Sequence, residues 1–158
     1  MKTQRSYTVD EATKVLEHFC AYQERCHKEV RTRLYEYGLH KEEVEELIYR
    51  LIESNFVNEE RFAVAYARGK FCVKKWGRLK IKSELKLRQI SDFCIKKGMA
   101  EINDADYEET LLQLIEKKRR DYRQTFNEYN RNRKIANYCF NKGYESSLIW
   151  ELIQKTEA

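Results

Sequence analysis

Apolar residues recur along this chain at the three- and four-residue spacing of amphipathic helices. Residues 8–11, Thr-Val-Asp-Glu, have the form of a capping box that begins the first of these helices. The same spacing predicts further helices over residues 27–37, 41–54, 58–74, 78–89, 91–102, 106–121, 124–142 and 146–155. Gly38 is the expected C-terminal stop of the second helix, and Asn58 is the expected N-cap of the fourth. These elements predict an all-α fold of about nine helices.

The helical pattern also repeats along the chain. Its first copy consists of Val30, Leu34, Gly38, Leu39, Val44, Leu47 and Ile48. A shift of 105 residues gives Ile135, Cys139, Gly143, Tyr144, Ile149, Leu152 and Ile153, and a shift of 51 gives Ile81, Leu85, Gln89, Ile90, Ile95, Gly98 and Met99. The middle copy is weaker, because it lacks the turn glycine and has Gly98 in place of a leucine. We therefore expect three stacked three-helix repeats, over residues 1–57, 58–103 and 104–158, in a curved and elongated tandem array.

The composition agrees with a helical fold, and the cysteines indicate the cellular compartment of the protein. The chain has no proline and only five glycines, whereas the tight turns of a sheet protein usually require both. Its five cysteines are odd in number and have no CxxC spacing, and no apolar stretch follows the first residues as in a signal peptide. No run approaches the length of a membrane span. We expect free thiols and a cytoplasmic location.

Charge is unevenly distributed. Residues 61–88 carry ten basic residues against Glu84 alone, whereas residues 41–60 have a net charge of −5, and a second basic stretch covers 117–134. Like charges at this density repel one another, which favours a polyanion or an acidic partner surface that neutralises them. A solvated face balanced by the acidic helix remains the alternative. Tyr66, Phe71 and Trp76 interleave with the bases, a composition compatible with stacking on nucleobases or packing into a protein groove.

The sequence contains no recognisable catalytic motif. Residues 68–71, Arg-Gly-Lys-Phe, lack the upstream glycine and the following Ser or Thr of a phosphate-binding loop. His18, Cys20, Cys26 and His27 have metal-binding chemistry, but the five residues between the two cysteines do not fit the spacing of a structural zinc site. We expect Cys20 in the core, and no enzyme activity, no cofactor and no metal.

One segment resembles a known family. Phe56-Val57-Asn58-Glu59-Glu60-Arg61-Phe62-Ala63 is followed by Tyr66-Ala67-Arg68, Lys70, Trp76-Gly77-Arg78, Lys80-Ile81 and Glu84-Leu85. This order is similar to the central signature of the RecX family, and the segments around Gly38 and Gly143 resemble its flanking repeats. The chain departs from the family at 88–90, Arg-Gln-Ile, where the family usually has Lys-Gly before the apolar residue.

The resemblance implies a regulator of the RecA recombinase. Such a protein lies along the RecA filament on single-stranded DNA and restrains its extension, strand exchange and coprotease activity, and so acts in homologous recombination, DNA repair and the SOS response. We expect a monomer whose basic second repeat faces the filament through Arg61, Arg68, Lys70, Lys75, Trp76, Arg78, Lys80 and Lys82. For Arg61 a structural role between helix ends is the rival interpretation. A stand-alone DNA-binding module and a helical scaffold without nucleic-acid contact are the alternative functions.

Overall fold

A computed structural model of the chain describes residues 7–124 and 127–157. These residues form nine α-helices and no strand, which confirms the all-α prediction. The helices are α1 (Val9–Tyr22), α2 (His27–Glu36), α3 (Lys41–Glu53), α4 (Glu59–Cys72), α5 (Arg78–Leu87), α6 (Asp92–Met99), α7 (Asp104–Asp121), α8 (Glu128–Asn141) and α9 (Ser146–Lys155).

Side-chain caps fix where several helices begin. The hydroxyl of Thr8 accepts a hydrogen bond from the Glu11 amide at 3.2 Å, as the capping box predicts. The side chain of Asn58 accepts from the Arg61 amide at 2.8 Å, which confirms Asn58 as the N-cap of α4. The predicted start of α8 at residue 124 is wrong, because Asn127 caps that helix and α8 begins at Glu128. Residues 125 and 126, which the prediction included, lie outside the described part of the chain.

The same turn follows a helix in each of the three repeat copies. Gly38, Gln89 and Gly143 lie one residue beyond the helix C-cap, with φ of +79°, +60° and +103°. In each turn the amide of the next residue donates to the carbonyl five residues earlier: Leu39 to Leu34, Ile90 to Leu85 and Tyr144 to Cys139. The turn therefore survives in the second copy, although glutamine replaces the glycine.

The chain divides into two compact units. The first combines the described residues up to Ala65 with Leu85–Lys97, and the second combines Tyr66–Glu84 with the residues from Gly98 onward. In the first unit, α1, α2 and α3 enclose a core of Ala12, Leu16, Cys20, Val30, Leu34, Leu39, Val44, Leu47, Ile48, Leu51 and Val57. The buried positions predicted from the first repeat copy all belong to this core. The proposed repeat boundaries at 57/58 and 103/104 stay a prediction.

In the second unit, α7, α8 and α9 supply most of the core. Its buried residues include Phe71, Ile81, Ile102, Tyr107, Leu111, Ile115, Ile135, Cys139, Tyr144, Ile149, Leu152 and Ile153. Tyr107 lies at the centre of an aromatic cluster, with ring centroids 5.9 Å from Phe71 and 5.0 Å from Tyr144. The apolar positions predicted from the third repeat copy are thus confirmed as core.

The cysteines are free thiols, and four of the five are buried. Cys20 is a core residue, as predicted, and Cys26 lies buried at the start of α2. Over the residues the structure describes, no three His, Cys, Asp or Glu side chains come together in a group that could hold a metal ion. Among the same residues, none of the helices has the length and apolar character needed to cross a membrane.

Candidate basic interaction surface

The turn between α4 and α5 packs backbone to backbone on the turn between α8 and α9, within the second unit. The amide of Gly77 donates to the carbonyl of Lys142 at 2.8 Å, and the amide of Leu79 donates to the carbonyl of Gly143 at 2.9 Å. A Cβ atom on Gly77 would lie 2.3 Å from the carbonyl carbon of Gly143, so only glycine fits. This contact joins the basic stretch of the second repeat to the third repeat.

Trp76 lies between two lysines. The ammonium nitrogen of Lys80 is 4.4 Å from the centroid of the Trp76 ring, and that of Lys70 is 4.9 Å from the same ring. Lys70 also lies 5.4 Å from the ring of Tyr66. Because Trp76 is half-buried, its ring is held in place and its cation–π contacts position both ammonium groups. The structure therefore brings together three of the predicted site residues.

A second pair of lysines shares a tyrosine. The ammonium nitrogens of Lys118 and Lys142 lie 4.3 Å and 5.9 Å from the centroid of the Tyr138 ring. The Lys142 ammonium also donates to the backbone carbonyl of Lys74 at 3.2 Å. The sequence placed Lys118 in a basic stretch but gave no sign of Tyr138 or Lys142, since Lys118 contacts Tyr138 from 20 positions away and Lys74 contacts Lys142 from 68.

We call these two clusters together the basic–aromatic surface. It consists of Lys70, Trp76, Lys80, Lys118, Tyr138 and Lys142. The Gly77–Lys142 hydrogen bond ties the two clusters to each other, because Gly77 follows Trp76 directly. Two more predicted residues of the second unit, Lys75 and Lys82, are exposed.

Lys75 takes part in the structure through its backbone. It follows α4 with a φ of +59°, and its carbonyl accepts a hydrogen bond from the Tyr144 hydroxyl at 2.9 Å. Its side chain remains exposed. Phe71, by contrast, is buried against Tyr107 and presents no ring surface for stacking on a nucleobase.

Two predicted arginines of the second unit are bound to acidic groups of the chain. Arg78 lies with its guanidinium 4.1 Å from the centre of the Tyr107 ring and donates to Asp104 at 2.5 Å. It also donates to the carbonyl of Ile102 at 3.2 Å. Arg68 donates to Glu101 at 2.7 Å while its side chain stays 62% exposed. Arg78 is thus held as a structural residue, and Arg68 forms a surface ion pair.

Arg61 belongs to the first unit and is the most extensively bonded of the predicted residues. Its guanidinium donates to the Glu24 carboxylate at 2.6 Å and to the backbone carbonyl of Asn55 at 2.9 Å. Further bonds reach the Asn55 side chain and the carbonyl of Phe56. These contacts tie α4 to the turn after α3, which is the structural role considered for Arg61 as an alternative. A role in partner binding stays a prediction.

Tyr107 connects Arg78, at the start of α5, to Glu145, just before α9. Its hydroxyl accepts a hydrogen bond from the Arg78 amide at 3.0 Å and donates to the Glu145 carboxylate at 2.9 Å. Burial raises the pKa of Tyr107 above its ordinary value, and it does the same to the pKa of Tyr144. Both hydroxyls therefore remain protonated donors near neutral pH.

The charge of this region suits an anionic partner. Residues 66–84 carry seven basic side chains, and Glu84 is their single acid. Such a concentration attracts polyanions over several ångströms and becomes weaker as salt screens it. This arrangement can bind an anionic partner through charge and through hydrogen bonds.

Two domain models of one family match this chain. Residues 58–99 match the second three-helix domain of RecX, and residues 105–153 match its third three-helix domain. The two segments together cover more than half of the chain. They include every residue of the basic–aromatic surface.

Individual RecX proteins are also similar to this chain over most of its length. The regulatory protein RecX of Clostridium perfringens is 27% identical over 129 residues, and that of Bacillus cereus strain B4264 is 27% identical over 131. These alignments cover 81% and 83% of this chain but 60% and 48% of the two relatives, so the chain spans about half the length of the curated relatives it matches.

Solved structures have the same fold. The crystal structure of RecX from Lactobacillus salivarius superposes with a TM-score of 0.81 at 24% identity, over 93% of this chain and 95% of that one. A second crystal structure of a regulatory protein RecX gives a TM-score of 0.83 at 22% identity, over 93% of this chain and 71% of that one.

Proposed function

Because the chain belongs to the RecX family, we propose that it binds the RecA filament on single-stranded DNA and regulates it, mainly by inhibition. It acts as a monomer in the cytoplasm, by binding and without catalysis. Its effects extend to the recombinase, ATPase and coprotease activities of the filament.

The observation that carries this proposal is the basic–aromatic surface inside the two matched domains. A RecA filament on DNA presents a repeating polyanion together with protein surface, and the region around Trp76 offers a matching concentration of positive charge. Lys142 extends that charge into the third repeat, whereas the Lys118 ammonium beside it is paired with the Asp121 carboxylate at 3.7 Å.

Several weak contacts are enough for such a regulator. Each lysine contributes little by itself, but contacts made together along a filament add in avidity. A bound array of repeats that spans neighbouring recombinase subunits restrains the movements those subunits make during ATP hydrolysis. Inhibition then requires fewer regulator molecules than recombinase subunits.

The side chains proposed to contact the filament are Lys70, Lys75, Lys80 and Lys82, with Trp76 holding two of them. Arg61 and Arg78 contribute through stability, since their guanidiniums are already bonded inside the protein. Arg68 contributes only when its ion pair with Glu101 opens.

The test is a titration of the protein into RecA that hydrolyses ATP on single-stranded DNA. The variant Lys70→Gln/Lys75→Gln/Lys80→Gln/Lys82→Gln removes four charges from the second unit. A matched control, Lys14→Gln/Lys41→Gln/Lys96→Gln/Lys97→Gln, removes four exposed lysines from the first unit. We expect wild type and control to inhibit at substoichiometric amounts, and the first variant to need at least tenfold more protein.

Two results would contradict the proposal. An ATPase that no amount of wild-type protein changes refutes filament regulation, and inhibition by both variants at the wild-type concentration refutes the chosen surface. Tight, steeply salt-dependent binding to bare DNA without any effect on RecA favours the stand-alone DNA-binding module instead.

A further inference from the structure

We propose that helices α1–α3 are held on α4–α6 by an ionic latch that opens while the helices stay folded, whereas the contact of the α4–α5 turn with the α8–α9 turn stays closed. The latch consists of three contacts, which join Lys28 to the carbonyl of Leu87, Glu29 to Arg88, and Glu24 to Arg61. This inference goes beyond the proposed function, because it concerns the protein without any partner.

The latch and the glycine contact involve equivalent positions of the repeat pattern. A shift of 51 residues aligns Cys26, the N-cap of α2, with Gly77, which precedes α5. The same pattern aligns Gln89, in the turn after α5, with Gly143, in the turn after α8. The start of α2 and the α5–α6 turn therefore correspond to the start of α5 and the α8–α9 turn.

Side chains at Cys26 and Gln89 prevent the close approach that the two glycines allow. A Cβ on Gly77 would lie 2.3 Å from the carbonyl carbon of Gly143, so that contact has no room for a side chain. Cys26 and Gln89 each carry a Cβ atom. The start of α2 therefore cannot approach the α5–α6 turn as closely, and the latch is made by longer side chains.

The latch contacts are partly exposed to solvent. The Lys28 ammonium donates to the Leu87 carbonyl at 3.0 Å, and the Glu29 carboxylate lies 3.7 Å from the Arg88 guanidinium. Arg88 keeps 30% of its side chain exposed and Glu29 keeps 32%. Ion pairs that water reaches contribute little to stability and are weakened by salt. The latch should therefore open more often as the salt concentration rises.

Two carboxylates of the latch are incompletely satisfied when it is closed. Oε1 of each faces an arginine guanidinium, at 2.6 Å for Glu24 and at 3.7 Å for Glu29. Oε2 of each is buried and has no hydrogen-bond partner. A buried charged oxygen without a partner has lost its hydration without compensation. Opening lets water reach both oxygens, which offsets the loss of the ion pairs.

The apolar cores differ in the same direction. Among the residues that the structure describes, the core of α1–α3 contains no side chain from α4, α5 or α6. By contrast, Phe71 of α4 packs on Tyr107 of α7, and Tyr144 is completely buried beside Tyr107. Separating the α4–α5 turn from α7–α9 therefore disrupts a hydrophobic core, whereas opening the latch separates charged side chains and exposes the thiol of Cys26.

The experiment measures how fast a maleimide labels each cysteine of the whole protein, with peptide mass spectrometry to assign the sites. Cys26 reports on the latch, because it is fully buried, lies outside the core of α1–α3 and is close to Arg88. Cys20 and Cys139, which are buried in the two cores, are internal controls. We expect Cys26 to react about tenfold faster than either control, and about threefold faster again in ~1 M salt, where charges are screened beyond about 3 Å.

Matched variants separate the latch from general stability. Lys28→Met/Glu29→Gln removes two latch contacts and should accelerate the labelling of Cys26 about fivefold, the effect of losing partly exposed ion pairs. Arg31→Gln removes a 2.9 Å ion pair with Glu45 inside α1–α3. We expect this control variant to label at the wild-type rate.

Hydrogen exchange followed by NMR tests the glycine contact in the same protein. The amides of Gly77 and Leu79 donate to the carbonyls of Lys142 and Gly143. Both amides should stay protected at the salt concentration that accelerates the labelling of Cys26, because the backbone hydrogen bonds and the core beneath them remain intact.

Four results would overturn the inference. Cys26 labelled as slowly as Cys139 at every salt concentration would show that the latch stays closed. Equal acceleration of Cys20 and Cys26 would show that α1–α3 unfold. Equal effects of the two variants would show that the latch contacts are not special, and rapid exchange of the Gly77 amide would show that the glycine contact opens as well. None of these results bears on the proposed function, since the measurements contain no RecA.

Discussion

Gly77 and Gly143 are in direct backbone contact, although they lie 66 positions apart in the sequence. The amide of Gly77 bonds to the residue before Gly143, and the carbonyl of Gly143 accepts from the second residue after Gly77. Gly143 leaves no room for a side chain either, because a Cβ on Gly143 would lie 2.4 Å from the Cβ of Lys80. The basic–aromatic surface depends on this contact.

Gly77→Ala should therefore destabilise the protein. The added methyl group must push two backbone segments apart, and overpacking of this kind lowers the free energy of unfolding by about 1–3 kcal/mol. Urea unfolding followed by circular dichroism measures the change. Gly69→Ala is the matched control: it lies in α4 with nothing within 4 Å of the added Cβ, and we expect it to stabilise by about 0.5–1 kcal/mol. Equal stabilities of the two variants would refute the close approach.

Arg61→Ala should reduce stability and have little specific effect on partner binding. It removes the ion pair with Glu24 and the bonds to the turn after α3, and loss of charged hydrogen bonds that are partly exposed should lower the free energy of unfolding by about 1–2 kcal/mol. The midpoint of urea unfolding and the ATPase titration are compared in the same preparation. A variant with wild-type stability that no longer inhibits RecA would show instead that Arg61 contacts the filament directly.

Gln89→Gly should stabilise the protein. Gln89 adopts a φ of +60°, where a side chain is strained, and relief of that strain outweighs the added freedom of glycine in the unfolded chain by about 0.5–1 kcal/mol. Gly38→Ala is the reverse experiment at the equivalent turn, where φ is +79°. We expect a rise in the thermal unfolding midpoint for the first variant and a fall for the second. A lower midpoint for Gln89→Gly would mean that the glutamine is favoured in this turn.

This turn illustrates what the sequence can predict. Apolar spacing located the helices and the buried positions, since helical period and burial are local properties. It also gave the equivalence of Gly38 with Gly143, whereas the missing glycine at Gln89 gave no indication that this position adopts the same positive φ. Local pattern and turn chemistry were sufficient for the fold.

The candidate surface was harder to predict, because charge in a sequence does not reveal which charges are already paired. Arg78 lies in a basic stretch, yet its guanidinium is bonded to Asp104 and packs on the Tyr107 ring. Lys142 lies outside both basic stretches, and besides its local contact with Tyr138 it joins the surface through a tertiary hydrogen bond to the carbonyl of Lys74. Such contacts depend on side-chain geometry over a long sequence separation.

Cys72 should be the one thiol that reacts rapidly in the native protein. Burial raises the pKa of Cys20 to about 11 and that of Cys139 to about 12, so these remain protonated and shielded at pH 8. Burial also raises the pKa of Cys26 and of Cys94, whereas Cys72 is exposed. Labelling with a chromogenic disulfide at pH 8 should give one fast equivalent, which Cys72→Ser removes. Two or more fast equivalents would contradict the burial of the others.

The same thiols give a dependence of stability on pH. Cys20 has an ordinary pKa of 9.0 and a folded value of about 11, so the unfolded chain releases this proton first as pH rises. Its stabilising contribution is complete below pH 9 and declines towards pH 11. The free energy of unfolding should therefore fall across this range, and it should fall less in Cys20→Ala relative to that variant's own stability at pH 8. Parallel declines in both proteins would contradict the raised pKa.

Filament binding itself provides the most direct test. Fluorescently labelled protein is titrated with RecA filaments assembled on single-stranded DNA with a non-hydrolysable nucleotide, with RecA alone, and with the bare DNA strand. We predict that the filament binds at least tenfold more tightly than bare DNA at physiological salt, and that Lys70→Gln/Lys75→Gln/Lys80→Gln/Lys82→Gln removes most of this preference. Equal affinity for filament and bare DNA, or a preference that the lysine variant retains in full, would contradict regulation of RecA through this surface.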